Sequence, residues 1–299
     1  MQEGPSHQID GAQMFTPQIP KTPIFNIPLS LGASVRRKMD GQTCPKIELT
    51  FRRIRSNMNA GTYRLKDLIK SVPLVGPAAA KLSHLPGFSY ARRLAFPGSA
   101  SFWERVYREG GTSGPGSYGR LAEFKAEILN EFVQTRNIRT VIEFGCGDGA
   151  QLQRAVYPEY VGVDVASGSI DRCSALFAQD ASKRFYLANA LPKDLGGFDL
   201  ALSLDVIYHL VEDEVFDLYM RRLFGAAQQH VIIYSSNHDA LAEGPHVRHR
   251  NFTAWIAENA CDWQPEGFVA NRFPGDPQRP GETSHADFYF FGRRIQDQK

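Results

Sequence analysis

The sequence predicts an α/β domain: a seven-stranded, mostly parallel sheet with helices on both faces, ended by an antiparallel hairpin and preceded by a helical N-terminal extension. Three observations carry this. Strand-like apolar runs at 141–144, 160–164, 185–188, 198–205 and 230–235 alternate with helix-like segments, the pattern of a parallel sheet covered on both sides. The last two strand-like runs, 267–273 and 286–291, are joined by a Pro/Gly-rich loop without a helix, so they should pair antiparallel. The first strand, Val141-Ile142-Glu143-Phe144, runs straight into Gly145, Gly147 and Gly149. Bare backbone at such a turn bends sharply and lets a ligand approach closely.

A chain of 299 residues with 42% hydrophobic content can hold one large domain with extensions. Residues 1–70 hold 11 Lys/Arg against 5 Asp/Glu, which leaves 23 against 27 for residues 71–299. The mildly acidic globular part argues against a nucleic-acid-binding surface. Cys44, Cys146, Cys173 and Cys261 show no C-x-x-C spacing. Neither a zinc site nor a disulfide scaffold is expected, and the reduced thiols of a cytoplasmic protein fit best. No run of about 18 apolar residues and no signal-peptide core occurs, so no membrane span is expected.

Residues 1–57, rich in Pro, Gln, Ser and Thr, read as mostly disordered, with basic stretches at Arg36-Arg37-Lys38 and Arg52-Arg53-x-Arg55. Regular sequence begins at Met58, a candidate for the true start. Residues 58–98 read as a short helical extension, in which apolar clusters alternate with Lys and Arg between Pro73, Pro77 and Pro86. It is either a cap on the main domain or a basic amphipathic anchor at an anionic membrane surface.

The main domain is expected over 99–299. Its first helix, 101–107, precedes a glycine-dense loop, 110–119, which is either a linker or a lid with Tyr118 and Arg120 as ligand contacts. A helix over 121–133 places Leu121, Phe124, Ile128 and Phe132 on one core-facing stripe. Further helices are predicted near 149–156, 167–178, 212–224 and 252–259.

Gly145, Gly147 and Ala150 also satisfy G-x-G-x-x-G/A, so a dinucleotide is one reading of the turn. Glu143 argues against it, because a carboxylate there repels a pyrophosphate and suits a ligand carrying an ammonium and a sulfonium. Asp164, closing the second strand, is placed to hold the two hydroxyls of a ribose. Through Glu143, Gly145, Gly147 and Gly149 the segment resembles the class I S-adenosylmethionine-dependent methyltransferases, whose first motif is E-x-G-x-G-x-G. The resemblance covers residues 99–292 and implies a seven-stranded, Rossmann-like fold with S-adenosylmethionine as cofactor. It implies a cofactor site of Glu143, Gly145, Cys146, Gly147, Gly149, Asp164, Val165, Asn189, Ala190 and Asp205, joined by Tyr118 from the glycine loop. Asn189 would meet the adenine, unless it only forms its loop.

Ligands of open α/β sheets bind beyond the carboxyl ends of the strands, which directs Asp205, Tyr208 and His209 to the methionine half and the acceptor. A hydroxyl acceptor needs a base, and a histidine with an unperturbed pKa near ~6.5 serves at neutral pH. His209 is the first candidate, with simple packing of its turn as the other reading. His246 and His249 are further candidates, in a cluster where Arg248 and Arg250 are expected to clamp a phosphate or carboxylate on the acceptor, unless the loop is merely solvated. Tyr208 and Asn237 complete the expected acceptor contacts. Asp205, Asn237 and Asp239 are too few and too weakly acidic for a divalent ion, so no metal is expected.

The segment SLDVIYHLVEDEVF and the lead-in with Trp103 and Tyr107 also resemble a bacterial methyltransferase subgroup of surface-glycan and secondary-metabolite pathways. The expected function is S-adenosylmethionine-dependent O-methylation of a sugar or small-molecule hydroxyl, with no nucleic-acid partner. Peripheral contact with the inner membrane through the basic N-terminal segment is a further expectation. An NAD-dependent oxidoreductase and a non-catalytic methyltransferase-like module at a membrane remain the alternatives.

Overall fold

Seven strands form one sheet in the order β3-β2-β1-β4-β5-β7-β6 in the computed structural model, which describes residues 96–192, 195–240 and 244–294. β1 (Thr140–Phe144), β2 (Glu159–Asp164), β3 (Lys183–Leu187), β4 (Phe198–Leu204) and β5 (Ala227–Ser235) run parallel. β7 (Asp287–Arg293) inserts antiparallel between β5 and the edge strand β6 (Trp263–Val269). The helices are α1 (Ser99–Arg108), α2 (Gly119–Thr135), α3 (Ser167–Leu176), α4 (Asp213–Ala226) and α5 (Phe252–Asn259). The expected disordered segment 1–57, the start at Met58 and the extension up to residue 95 lie outside the described residues.

β7 makes the two-sided packing explicit. Phe288 and Phe290 point to the α2 side, where their rings meet Phe124 at 5.8 Å and Phe132 at 5.5 Å. Tyr289 and Phe291, one residue out of phase, meet Phe252 of α5 at 5.0 Å and Phe224 of α4 at 5.9 Å. A period of two thus supplies aromatic surface to both layers. β1 obeys the same rule: Val141, Ile142, Glu143 and Phe144 are all buried, because a central parallel strand is covered on both faces.

Three element expectations shift. The helix expected near 149–156 is reduced to one short turn at Leu152–Arg154. Only nine residues separate Gly149 from β2, and Pro158 disfavours helical backbone at the preceding residue, so no helix propagates. β6 begins at Trp263 rather than at 267, with Pro265 and a register shift before Gly267 tolerated on an edge. It stops at Val269 because Asn271 turns the chain, its N–H donating to Asp287 Oδ1 at 2.8 Å and its side-chain amide to Ser284 O at 3.1 Å. Cys146 and Cys173 are free and buried, whereas Cys261 is disulfide-bonded, which corrects for that residue the expectation of reduced thiols. Among the described residues no helix is long and apolar enough to cross a membrane.

Candidate active site

A cavity of about 960 Å³ opens at the carboxyl ends of the parallel strands, bounded by the turn after β1, the segments after β4 and β5, α1 and the β6–β7 loop. The turn is tight. A Cβ on Gly145 would overlap the Val206 side chain, and one on Gly147 would overlap Ser113 Oγ. Both glycines also hold positive φ, 85° and 59°, where other residues are strained. Gly149 stands outside the cavity wall and instead lets α3 approach, with Cys173 and Phe177 closest to it.

Three acids line this half of the cavity. Glu143 is buried on β1 and accepts a hydrogen bond from the Tyr160 hydroxyl at 2.7 Å; burial pushes its carboxyl up to about 7. Asp164 accepts from the backbone N–H of Gly147 and of Ala166, both at 3.0 Å, so it ties the glycine turn to the end of β2, and burial raises its carboxyl as well. Asp205 follows β4 with a left-handed φ of 60°, a conformation that Asp tolerates better than most residues. Its carboxylate is held on both sides, by Lys125 Nζ at 2.7 Å and by the Tyr208 hydroxyl at 2.8 Å. Cys146 and Val165 also line the cavity, whereas Asn189 and Ala190 are exposed and lie off the wall that Ala188 provides.

The glycine loop, 110–119, lies over the turn. Asp148 accepts from Ser113 N at 3.0 Å, Ser113 Oγ at 2.8 Å and the Tyr118 hydroxyl at 2.6 Å. Arg172 of α3 binds the carbonyls of Gly111 and Tyr107 at 2.5 and 3.1 Å. Ser113 to Ser117 therefore form part of the wall, and a Cβ on Gly116 would stand 3.0 Å from Asp205 Oδ2. Tyr118 itself does not reach the wall; it acts through Asp148.

The other half is lined by His209, His238, His246, His249 and His285. His209 Nδ1 donates to the His246 carbonyl at 3.1 Å, since that oxygen can only accept, and Nε2 is thereby the basic nitrogen. Its ring packs edge-on to Trp103 at 4.9 Å, and burial pushes its pKa down to about 4. His249 Nδ1 pairs with Ser236 Oγ at 2.7 Å; burial, then His238 and His285, bring its pKa down to about 4.

Neither expected arginine lines the cavity. Arg250 is buried and donates to Leu210 O, Val211 O and Asp213, while Arg248 reaches Val211 O and Asp213. The protein's own acceptors hold the Arg250 guanidinium and one nitrogen of Arg248, and neither side chain is part of the cavity wall. Asn237 is likewise taken up by Thr253, at 2.9 Å from its hydroxyl. Among the described residues no group of three or more His, Cys, Asp or Glu is arranged to hold a metal ion.

Sequence reasoning missed Lys125, His285 and Asp148. Lys125 carried a signal, since it follows Leu121 by one helical turn on the buried stripe of α2. His285 carried none, because only the hairpin's return brings it to the strand ends.

No family model matches the chain, and no curated protein matches it. Solved structures do resemble it. The N-methyltransferase NodS from Bradyrhizobium japonicum, in complex with S-adenosyl-L-homocysteine, is 14% identical; the match covers 66% of this chain and 100% of that one, with a TM-score of 0.51. The 1,6-didemethyltoxoflavin-N1-methyltransferase of Burkholderia thailandensis is 17% identical over 75% of this chain and 93% of its own, with a TM-score of 0.48. The CcbJ methyltransferase of Streptomyces caelestis is 14% identical over 64% and 96%, with a TM-score of 0.44. With seven strands in this order, an antiparallel β5-β7-β6 end and a glycine turn after β1, the chain has the fold of the class I S-adenosylmethionine-dependent methyltransferases.

Proposed function

We propose that the protein transfers a methyl group from S-adenosylmethionine to a hydroxyl of a small molecule. The observation that carries this is Glu143, a carboxylate buried at the head of the glycine turn and opening onto the cavity. The chemistry of the surrounding groups fits the cofactor. Glu143, Asp164 and the Gln151 amide oxygen, which has no partner among the described residues, are acceptors for ammonium and hydroxyl donors. The same set would repel the pyrophosphate of a dinucleotide. Of the basic side chains there, Lys125 is paired with Asp205 and Arg222 reaches the Ala188 carbonyl at 3.3 Å.

In this reading Glu143 and the glycine turn hold the methionine half and Asp164 the ribose. When bound, the cofactor supplies a methyl carbon on a sulfonium, whose carbon–sulfur electron pair leaves with the sulfur. The chain's own part is alignment, closure and proton removal. The loop around Ser113, latched by Asp148, keeps water from the cofactor half. His209 takes the acceptor's proton on Nε2, and the oxygen keeps the O–H electron pair for the new bond to carbon. Burial keeps the imidazole neutral at any pH above about 4, and it also makes His209 a weaker base than the ordinary histidine the sequence suggests.

Calorimetric titration of the full chain with S-adenosylhomocysteine and, separately, NADH tests the cofactor. Binding of the first and not the second is expected; the reverse would sink the proposal.

A further inference from the structure

We infer that the acceptor end of the cavity takes an uncharged aromatic molecule, methylated on a ring hydroxyl, in preference to a sugar or an acid. The inference rests on the transferase reading above and narrows its acceptor.

Charge is the first argument. Among the described residues, the charged ones lining the cavity are Lys125, Glu143, Asp164, Asp205 and Arg222. None of them comes from the segment after β5 or from the β6–β7 loop, the two pieces that complete the acceptor end. Asp205, nearest to that end, is already held by Lys125 and Tyr208. An acidic acceptor would be desolvated there without a counter-ion, which is costly. His209 and His249, held neutral, do not supply one.

Shape and polarity are the second. Planar side chains dominate: Trp103 lies edge-on to His209, His246 stacks on Phe102 at 4.8 Å, and His238 lies 4.4 Å from His249. Pro277 and Pro280 add rigid apolar surface from the β6–β7 loop. Flat apolar walls with a few hydroxyls suit a ring. A polyol would bring many hydroxyls, each needing a partner, to a wall in which proline and aromatic surfaces leave few polar groups to meet them. The loop itself is anchored, with Arg120 donating to the Glu282 carbonyl at 2.8 Å and Arg272 paired with Glu127 at 2.8 Å. Its lining residues therefore belong to the built wall.

The test uses the full chain and three probes: 2-naphthol, 2-naphthoate and methyl glucoside, titrated with and without S-adenosylhomocysteine. 2-Naphthol is expected to bind about tenfold or more tighter than either of the others. Equal or tighter binding of 2-naphthoate or of the glucoside would overturn the inference. S-adenosylhomocysteine binding is read separately: its absence sinks the transferase reading, whereas the probe ratio alone decides the acceptor class. His285→Arg supplies the missing counter-ion and should reverse the naphthol-to-naphthoate preference. An unchanged ratio in a folded variant counts against the inference.

Discussion

The cavity has two halves built by different rules. The half over β1 and β2 centres on acids and glycines close in sequence, Glu143 to Asp164, whose geometry is set largely by local backbone: Asp164 bonds the glycine turn, and Asp148 latches the loop. The half beyond β4 and β5 is assembled from distant pieces, with Trp103 of α1, His209, His249 and His285 meeting across nearly two hundred residues of chain. The first half is acidic and suits a cation; the second is lined by histidines, aromatic rings and prolines. A single fold can thus keep its donor site while the acceptor site is rebuilt from loops.

The largest expected effect separates the halves by turnover. His209→Asn keeps a donor for the His246 carbonyl but has no Nε2, so kcat should fall by roughly 10²–10³-fold with S-adenosylhomocysteine affinity unchanged. Equal losses in both quantities would mean that His209 shapes the cavity instead of acting as base.

Next comes pH. Glu143, raised to about 7, is protonated below that value, so S-adenosylmethionine affinity should fall as pH drops from 8 to 6. Glu143→Gln should weaken binding by about tenfold and flatten this profile. Stability without ligand runs the other way. A raised carboxyl contributes fully below its ordinary value of 4.5 and loses that contribution as pH rises through about 7. Wild type should therefore lose thermal stability relative to Glu143→Gln across that window. The acceptor half has the opposite sign: His209 and His249, lowered from 6.5 to about 4, stabilise above 6.5 and lose that contribution as pH falls towards 4.

A smaller effect tests the latch. Asp148→Ala removes acceptors for Ser113 and Tyr118 and should cost about 1–3 kcal/mol in urea unfolding, with faster proteolysis within 110–119. Unchanged cleavage would mean that the loop is held without Asp148. The smallest is Arg272→Ala, whose exposed pair with Glu127 should be worth under about 1 kcal/mol of stability. A larger loss would show the β6–β7 loop to be more tightly coupled to α2 than its ion pair implies.

Legibility followed the same division. The seven strands and the glycine turn could be read because hydrophobic period and glycine spacing are local signals. The helix near 149–156 was misread because its apolar residues suited a helix, while the closeness of Gly149 to Pro158 left no room for one. Arg248 and Arg250 looked like acceptor contacts because a run of His and Arg signals a site; their diversion to Asp213 depends on where α4 begins.

By itself the sequence determined the layered α/β architecture, the glycine turn and the placing of Glu143 and Asp164 at the ends of adjacent strands. These follow from residue periodicity and backbone sterics within about one element of chain. Tertiary structure alone decided that Lys125 neutralises Asp205, that the arginines turn inward to Asp213, and that five histidines from three segments share one wall. Those outcomes depend on which segments the sheet order brings together, and pairing between distant residues leaves no period or spacing in a single sequence.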